Sequence, residues 1–191
     1  MADMLVTPSE LASFLQQDVD TATAMLLIQM ATGKVQAAAG QLLIEGTATV
    51  TLDVDMCDDS EWLALPQMPV RSVASVLIDG VADTAWKFRR QQLWRLNGWN
   101  TSGSAPTQVT PTFTYGYPAS AQALQLARDY TLALAGLGYG NPGAGAVTSE
   151  SLDDYKVDYA SADARMVVAD GMREQLRSTY GIGAFVTRSV Q

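Results

Sequence analysis

The sequence predicts an α+β fold, mainly a helical bundle packed with a small antiparallel β-sheet and followed by an extended C-terminal arm. Apolar residues recur at helical spacing near both ends of the chain, whereas they alternate with polar residues in its middle. The predicted order is helices, then a block of short strands, then helix again, and such segregated runs are typical of α+β proteins. We therefore expect one domain over residues 1–181 and a separate arm over residues 182–191.

Two helices are predicted at the N-terminus. Thr7 and Glu10 match a capping box, in which each side chain bonds to the backbone amide of the other residue. Asp20 is placed to cap a second helix over residues 21–39, and Gly40 is placed to end it. This second helix is apolar on nearly every side, so we expect it to be buried on more than one side, one of them by another subunit.

The middle of the chain is predicted to form short antiparallel strands. Apolar and polar residues alternate from Gly46 to Val54, which is the period of a half-buried strand. Asp79 and Gly80 form the dipeptide that tight hairpins favour, and Asn97-Gly98 marks another turn. The expected strands span residues 46–54, 62–65, 70–78, 86–88, 93–96 and 108–115.

The C-terminal third returns to helix. A broadly apolar helix is predicted over about residues 119–137 and is followed by a glycine-rich loop. A strand is predicted within residues 151–159. Asp170 is expected to cap a last short helix that ends at Gly181.

The composition argues against an enzyme. The chain has no histidine and a single cysteine, Cys57, which removes Ser-His-Asp and Cys-His catalysis and every His-ligated or Cys-rich metal site. We therefore expect no catalytic residue, no cofactor and no metal. The net charge is −8, from 12 basic and 20 acidic residues, so sequence-specific binding of DNA is not expected. No secretory signal and no membrane-spanning segment are recognisable, so we expect no membrane partner and synthesis in a cytoplasm.

The densest acidic cluster is the one candidate for a metal site. A calcium loop needs a glycine at its sixth position and an acid at its twelfth, and counting from Asp53 neither is present. A hydrated turn is the favoured interpretation, and a carboxylate-based, metal-dependent enzyme is the alternative. The cluster consists of Asp53, Asp55, Asp58, Asp59 and Glu61.

A second candidate site interleaves basic and aromatic residues. Such a segment could stack bases and hold phosphates. The other interpretation is a hairpin whose aromatic rings pack on one face while its charges face water or a neighbour's carboxylates, and the acidic net charge favours it. The segment contains Lys87, Arg89, Arg90 and Arg95 among Trp86, Phe88 and Trp94.

Three stretches, in order along nearly the whole chain, carry a resemblance to a known family. They are TPSEL (7–11) with the helix ending AAAGQ (37–41), LPQMPVRSV (65–73) with VLIDG (76–80) and Trp86, and FTYGYP (113–118) with ESLDDY (150–155). On these stretches the chain resembles the head–tail connectors of tailed bacteriophages, also called head-to-tail adaptors or head-completion proteins.

The resemblance implies a virion structural protein. Such adaptors form a ring, usually twelvefold, that binds the portal protein on one side and a stopper or tail protein on the other. Genomic DNA passes through the ring without sequence-specific binding. The expected location is the virion neck at the head–tail junction, after synthesis in the bacterial cytoplasm. A stopper or a tail terminator is the alternative neck component, and we would expect it to lack the N-terminal helix pair.

A ring requires contact surfaces, and we assign them to two sets of residues. The two broadly apolar helices are expected to supply the subunit interface, because head-to-tail contacts bury two different surfaces of each subunit. The arm is expected to dock on the portal or another partner, because it carries apolar anchors but too few to build a core. The interface set is Leu27, Ile28, Met30, Leu134 and Leu137, and the docking set is Ile182, Phe185, Val186, Arg188 and Val190.

Overall fold

A computed structural model describes residues 4–55, 60–101, 105–139, 149–152, 155–158 and 166–181. The described residues fall into two compact units. We call the residues up to Gln41 and from Ala119 onward the helical unit, and Leu42–Pro118 the sheet unit. The expectation of one domain over residues 1–181 stays a prediction, and the predicted arm at 182–191 lies outside the described residues.

Four helices and ten strands make up the described chain. The helices are α1 (Pro8–Leu15), α2 (Thr21–Ala39), α3 (Gln125–Tyr139, preceded by a 3-10 turn at Gln122–Leu124) and α4 (Asp170–Tyr180). The strands are β1 (Gly46–Thr49), β2 (Leu52–Val54), β3 (Trp62–Ala64), β4 (Val70–Ile78), β5 (Val81–Asp83), β6 (Trp86–Arg89), β7 (Gln92–Arg95), β8 (Thr107–Tyr115), β9 (Ser149–Leu152) and β10 (Tyr155–Asp158). Within these described segments, no helix is both long enough and apolar enough to cross a membrane.

The predicted helix boundaries at the N-terminus are confirmed. The Thr7 amide donates to Glu10 Oε2 at 2.7 Å, and the Glu10 amide donates to Thr7 Oγ1 at 3.3 Å, which completes the capping box. The Thr23 amide donates to Asp20 Oδ2 at 2.8 Å at the start of α2. Gly40 ends α2 with a φ of 75°, a left-handed conformation that glycine adopts without steric cost.

Three details of the C-terminal third differ from the sequence prediction. The helix expected over about 119–137 begins later, as a 3-10 turn followed by α3 from Gln125. Where one strand was expected within 151–159, the described residues form two strands, β9 and β10, which pair with each other in antiparallel fashion. Ala169 occupies the N-cap position of α4, so Asp170 is not the cap but the first helical residue. An aspartate there still favours the helix, because its charge faces the positive end of the helix dipole.

The sheet unit contains two antiparallel sheets around a common core. The first has the order β1-β8-β4-β5, with β2 also paired to β8, and the second has the order β3-β7-β6. Asp79 and Gly80 join β4 to β5 with φ values of 50° and 81°, which confirms the predicted tight turn. The buried core residues are Val54, Leu65, Val70, Val76, Ile78, Leu93, Trp99, Val109 and Phe113.

The α+β class is confirmed, but the expected proportion of helix needs correction. Strands occupy nearly as many of the described residues as helices do, so the protein is not mainly a helical bundle. The predicted strands already covered nearly as many residues as the observed ones, so the error lay in the weight given to the helices and not in missed strands. The sheets also build a core of their own.

Candidate protein-interaction surfaces

The predicted interface residues occupy three kinds of environment. Leu27, Ile28 and Leu134 are buried within the helical unit, Met30 is half-buried, and Leu137 is 56% exposed. A Cβ added at Gly138 would lie 3.0 Å from Leu27 Cδ2, so Leu27 packs on the bare backbone of α3. Contacts within a single chain therefore account for the burial of these three residues. Whether any of the five contacts a neighbouring subunit stays a prediction.

The exposed side of α2 is nearly uncharged. Lys34 is the only charged residue among its 19 positions. Leu26 is 58% exposed, and Met25 beside it is also exposed. The exposed stripe runs along Ala22, Leu26, Gln29, Gly33 and Ala37, which are spaced three or four residues apart. Another protein could cover this stripe without removing a charge from water.

A second apolar surface lies where α1 meets α3. A Cβ added at Gly136 would lie 3.1 Å from Phe14 Cε1, so the Phe14 ring packs against glycine backbone. The same ring is 53% exposed, and Leu137 is the residue that follows Gly136. From Tyr130 to Tyr139 the chain carries no charged residue. This end of α3 therefore offers large apolar side chains to a partner.

Helix α4 has the opposite character. Asp170, Arg173, Glu174 and Arg177 are exposed on it, whereas Leu176 is buried. An amphipathic helix of this kind has one face in the core and one face in water. The contrast with α2 indicates that the exposed apolar residues of α2 are not a general property of the helices.

One ion pair joins α1 to α3. Arg128 Nη2 contacts Glu10 Oε1, and the Glu10 carboxylate also accepts a hydrogen bond from the Thr7 amide. Burial alone would raise the pKa of Glu10, but the bonds from Thr7 and the charge of Arg128 outweigh it and hold that pKa below its ordinary value. The carboxylate therefore stabilises the folded helical unit in its charged form.

Part of the predicted basic and aromatic segment serves the sheet unit internally. Arg95 Nε donates to Asp83 Oδ2 at 2.9 Å, and Arg95 Nη1 donates to the Gly98 carbonyl at 2.7 Å. Trp94 Nε1 donates to Glu61 Oε2 at 2.8 Å, and Trp86 packs against the core. These residues are committed to intramolecular contacts, which disfavours a platform for stacked bases.

The rest of that segment is exposed. Lys87 and Arg89 are exposed on β6, and Arg90 is exposed in the two-residue turn that joins β6 to β7. Arg90 and Gln91 have φ values of 51° and 66°. The Val70 amide donates to Gln91 Oε1 at 2.6 Å, which ties this turn to the start of β4. The cations are thus presented on an anchored hairpin.

The acidic cluster is only partly described. Asp53 and Asp55 are exposed, Glu61 accepts from Trp94, and Asp58 and Asp59 lie outside the described residues. Over the part of the chain that the structure describes, no three acidic or cysteine side chains come together as a metal site would require. The enzyme alternative therefore has no supporting geometry among these residues.

The five-stranded sheet carries a surface of paired threonines that was not predicted from the sequence. The hydroxyl oxygens of Thr49 and Thr112 lie 2.9 Å apart, and those of Thr51 and Thr110 lie 3.1 Å apart. Thr47 and Thr114 form a third, longer pair at 3.5 Å. The signal was the alternation of threonine in both segments, but the pairing of β1 and β2 with β8 could not be read from either segment alone.

No family model matches the chain, and no curated protein matches it. Among solved structures, the chain is similar to one from a structure described as the neck of an empty gene transfer agent (GTA) particle, computed with C6 symmetry. The TM-score is 0.58 at 18% sequence identity, and the match covers 91% of this chain and 89% of that chain. The two chains therefore share a fold over nearly their whole lengths.

Proposed function

We propose that this protein is a structural component of the neck of a tailed phage or phage-like particle, and specifically its head-to-tail adaptor. The observation that carries the proposal is the fold likeness to a neck chain, because the match extends over both the helical and the sheet unit. The proposed adaptor forms a ring beneath the portal, joins the head to a stopper or tail protein, and lets DNA pass. The stretches that resemble connectors support the same role.

The exposed apolar surfaces of the helical unit support assembly into a ring. In a ring each subunit contacts its two neighbours through two different surfaces. The α2 stripe around Leu26 and the surface formed by Phe14 and Leu137 are two such surfaces, both uncharged and both with large apolar side chains exposed. The solved neck was computed with C6 symmetry, which is consistent with a ring, and twelve copies remain the number proposed here.

We propose neither catalysis nor a cofactor for this protein. The chain lacks histidine, and the acidic residues Glu61 and Asp83 are used in bonds to Trp94 and Arg95. An acidic ring also suits the passage of DNA, since like charge avoids the phosphate attraction that would slow it. The segment 182–191 is proposed to dock on the portal through Ile182, Phe185, Val186, Arg188 and Val190.

The test places single charges on the two apolar surfaces. Leu26→Asp and Leu137→Asp should leave the isolated subunit folded, because both side chains are exposed. In the ring the same charges would be buried without a partner, at a cost of several kcal/mol. We expect both variants to lose assembly with portal-bearing heads, measured as the fraction of heads that acquire the protein.

The matched control is Ala169→Asp, which adds the same charge at an exposed position at the start of α4. It should assemble like the unchanged protein. Normal assembly of both leucine variants would overturn the assignment of these surfaces. Failure of the unchanged protein to join heads at all would overturn the adaptor role itself.

A further inference from the structure

The sheet unit has two outer surfaces of opposite chemistry. Successive side chains of a strand point to opposite faces of its sheet. Because the inner faces of both sheets contribute to one core, their outer faces point away from that core in different directions. We call the outer face of β3-β7-β6 the cationic face, and the outer face of β1/β2-β8-β4 the hydroxyl face.

The cationic face combines exposed cations with tryptophan. The strand register places Trp62, Trp94 and Lys87 in one row across the sheet, and Ala64, Gln92 and Arg89 in a row on the same face. Arg90 extends this face from the adjoining turn. Among the described residues, no ion pair involves Lys87, Arg89 or Arg90. Tryptophan and arginine are the side chains most enriched at the energetic centres of protein interfaces.

On the hydroxyl face, β1, β2 and β8 carry no cation, and β4 contributes one exposed cation, Arg71, at the bulge between Val70 and Ser72. Its centre is formed by the paired threonines, whose β-branched side chains have few rotamers to lose when a partner covers them. Asp53 lies at the end of this face, opposite Gln108 in the register, and Asp55 follows directly after β2. Both aspartates are exposed, so this end of the face is negative.

We infer that neighbouring copies of this chain contact each other through their sheet units, the cationic face of one copy covering the hydroxyl face of the next. The inference rests on the proposed ring, which brings two different surfaces of adjacent copies together. Charge complementarity indicates that the partner is another copy of this chain, because Lys87 and Arg89 would pair with Asp53 and Asp55 of that copy. Charge pairs of this kind fix the register and the partner of a contact.

Charge reversal tests this contact. The variant Lys87→Glu, Arg89→Glu makes both faces of its sheet unit negative, and the variant Asp53→Lys, Asp55→Lys makes both faces positive. All four side chains are exposed, so each subunit should keep its fold and melting temperature. We expect each variant alone to assemble into portal-bound rings about tenfold less efficiently than the unchanged protein, or worse, because like charges would face each other.

Two rescue experiments distinguish loss of charge complementarity from general damage to the subunit. An equimolar mixture of the two variants should assemble, because alternating copies place every negative face against a positive one. A subunit carrying all four substitutions should assemble too, because its faces are complementary again with the signs exchanged. Glu174→Lys, a reversal on exposed α4, is the matched control and should have no effect.

Each of the following outcomes would overturn the inference. Unimpaired assembly of both variants would show that the faces do not meet, and failure of both rescues would show that complementarity is not the cause of the loss. Assembly of Lys87→Glu, Arg89→Glu with weakened binding of duplex DNA, measured by fluorescence anisotropy, would assign the cations to phosphates instead. The proposed function fails separately, namely if the unchanged protein forms no ring on the portal.

Discussion

Truncation of two leucines on the same helix measures how far the interior of the helical unit differs from its surface. Leu134 is 1% exposed and Leu137 is 56% exposed, and they lie one turn apart on α3. Leu134→Ala removes buried side-chain volume and should lower the free energy of unfolding by about 2–5 kcal/mol. Leu137→Ala removes little buried surface and should change it by less than about 0.5 kcal/mol.

The assay is urea denaturation of the isolated protein, followed by far-UV circular dichroism. A loss of about 3 kcal/mol would shift the denaturation midpoint by about 1–3 M if the slope is about 1–3 kcal/mol per M, so the two variants are easily distinguished. Equal effects of the two truncations would refute the assignment of Leu134 to the core. A large loss for Leu137→Ala alone would place the exposed surface of α3 elsewhere.

Three further predictions concern backbone and charge. Gly33→Ala should raise the free energy of unfolding by about 0.5–1 kcal/mol, because the position is helical and an added Cβ meets no atom within 4 Å. Gly116→Ala should lower the free energy of unfolding far more than Gly80→Ala in the same urea assay. Both glycines have a positive φ, but of the two only Gly116 would place the added Cβ against backbone, 2.5 Å from a carbonyl oxygen. The pKa of Glu10 in the folded protein lies below its ordinary value of 4.5. The charged carboxylate therefore contributes fully to the free energy of unfolding above pH 4.5, and this contribution is lost as the pH falls through the lowered pKa. The stability difference between the unchanged protein and Glu10→Gln should therefore shrink in acid, and a constant difference would contradict the charged pairing with Arg128.

Local signals explain the parts of the fold that could be predicted from the sequence. The capping box at Thr7, the cap at Asp20 and the stop at Gly40 each depend on residues within one turn of the helix end. The turn at Asp79-Gly80 depends on the backbone freedom of two adjacent residues. Such features depend only on residues that are close together in the sequence.

The division of each apolar helix into core and surface could not be predicted in the same way. Helix α2 is apolar on almost every side, so its sequence contains no stripe that distinguishes buried Leu27 from exposed Leu26. That distinction depends on α3, whose Gly138 lets Leu27 approach closely although the two residues are far apart in sequence. The threonine pairs likewise depend on strands separated by more than fifty residues.

The acidic cluster and the basic and aromatic segment each contain residues that are close in sequence but lie in different environments in the structure. Arg95 and Lys87 lie close in sequence, but Arg95 is held by Asp83 whereas Lys87 faces outward from β6. Similarly, Glu61 accepts from Trp94 while Asp53 remains exposed. The alternation of a strand separates inward from outward charges, and only the register shows which charges share a face.

A reconstruction of a portal-bearing head after addition of the purified protein is the measurement that tests the adaptor role most directly. We expect a closed ring of this chain seated on the portal, in which the α2 stripe and the surface around Leu137 face neighbouring copies. A head that acquires no such ring, or a ring of this chain found only further down the tail, would contradict it.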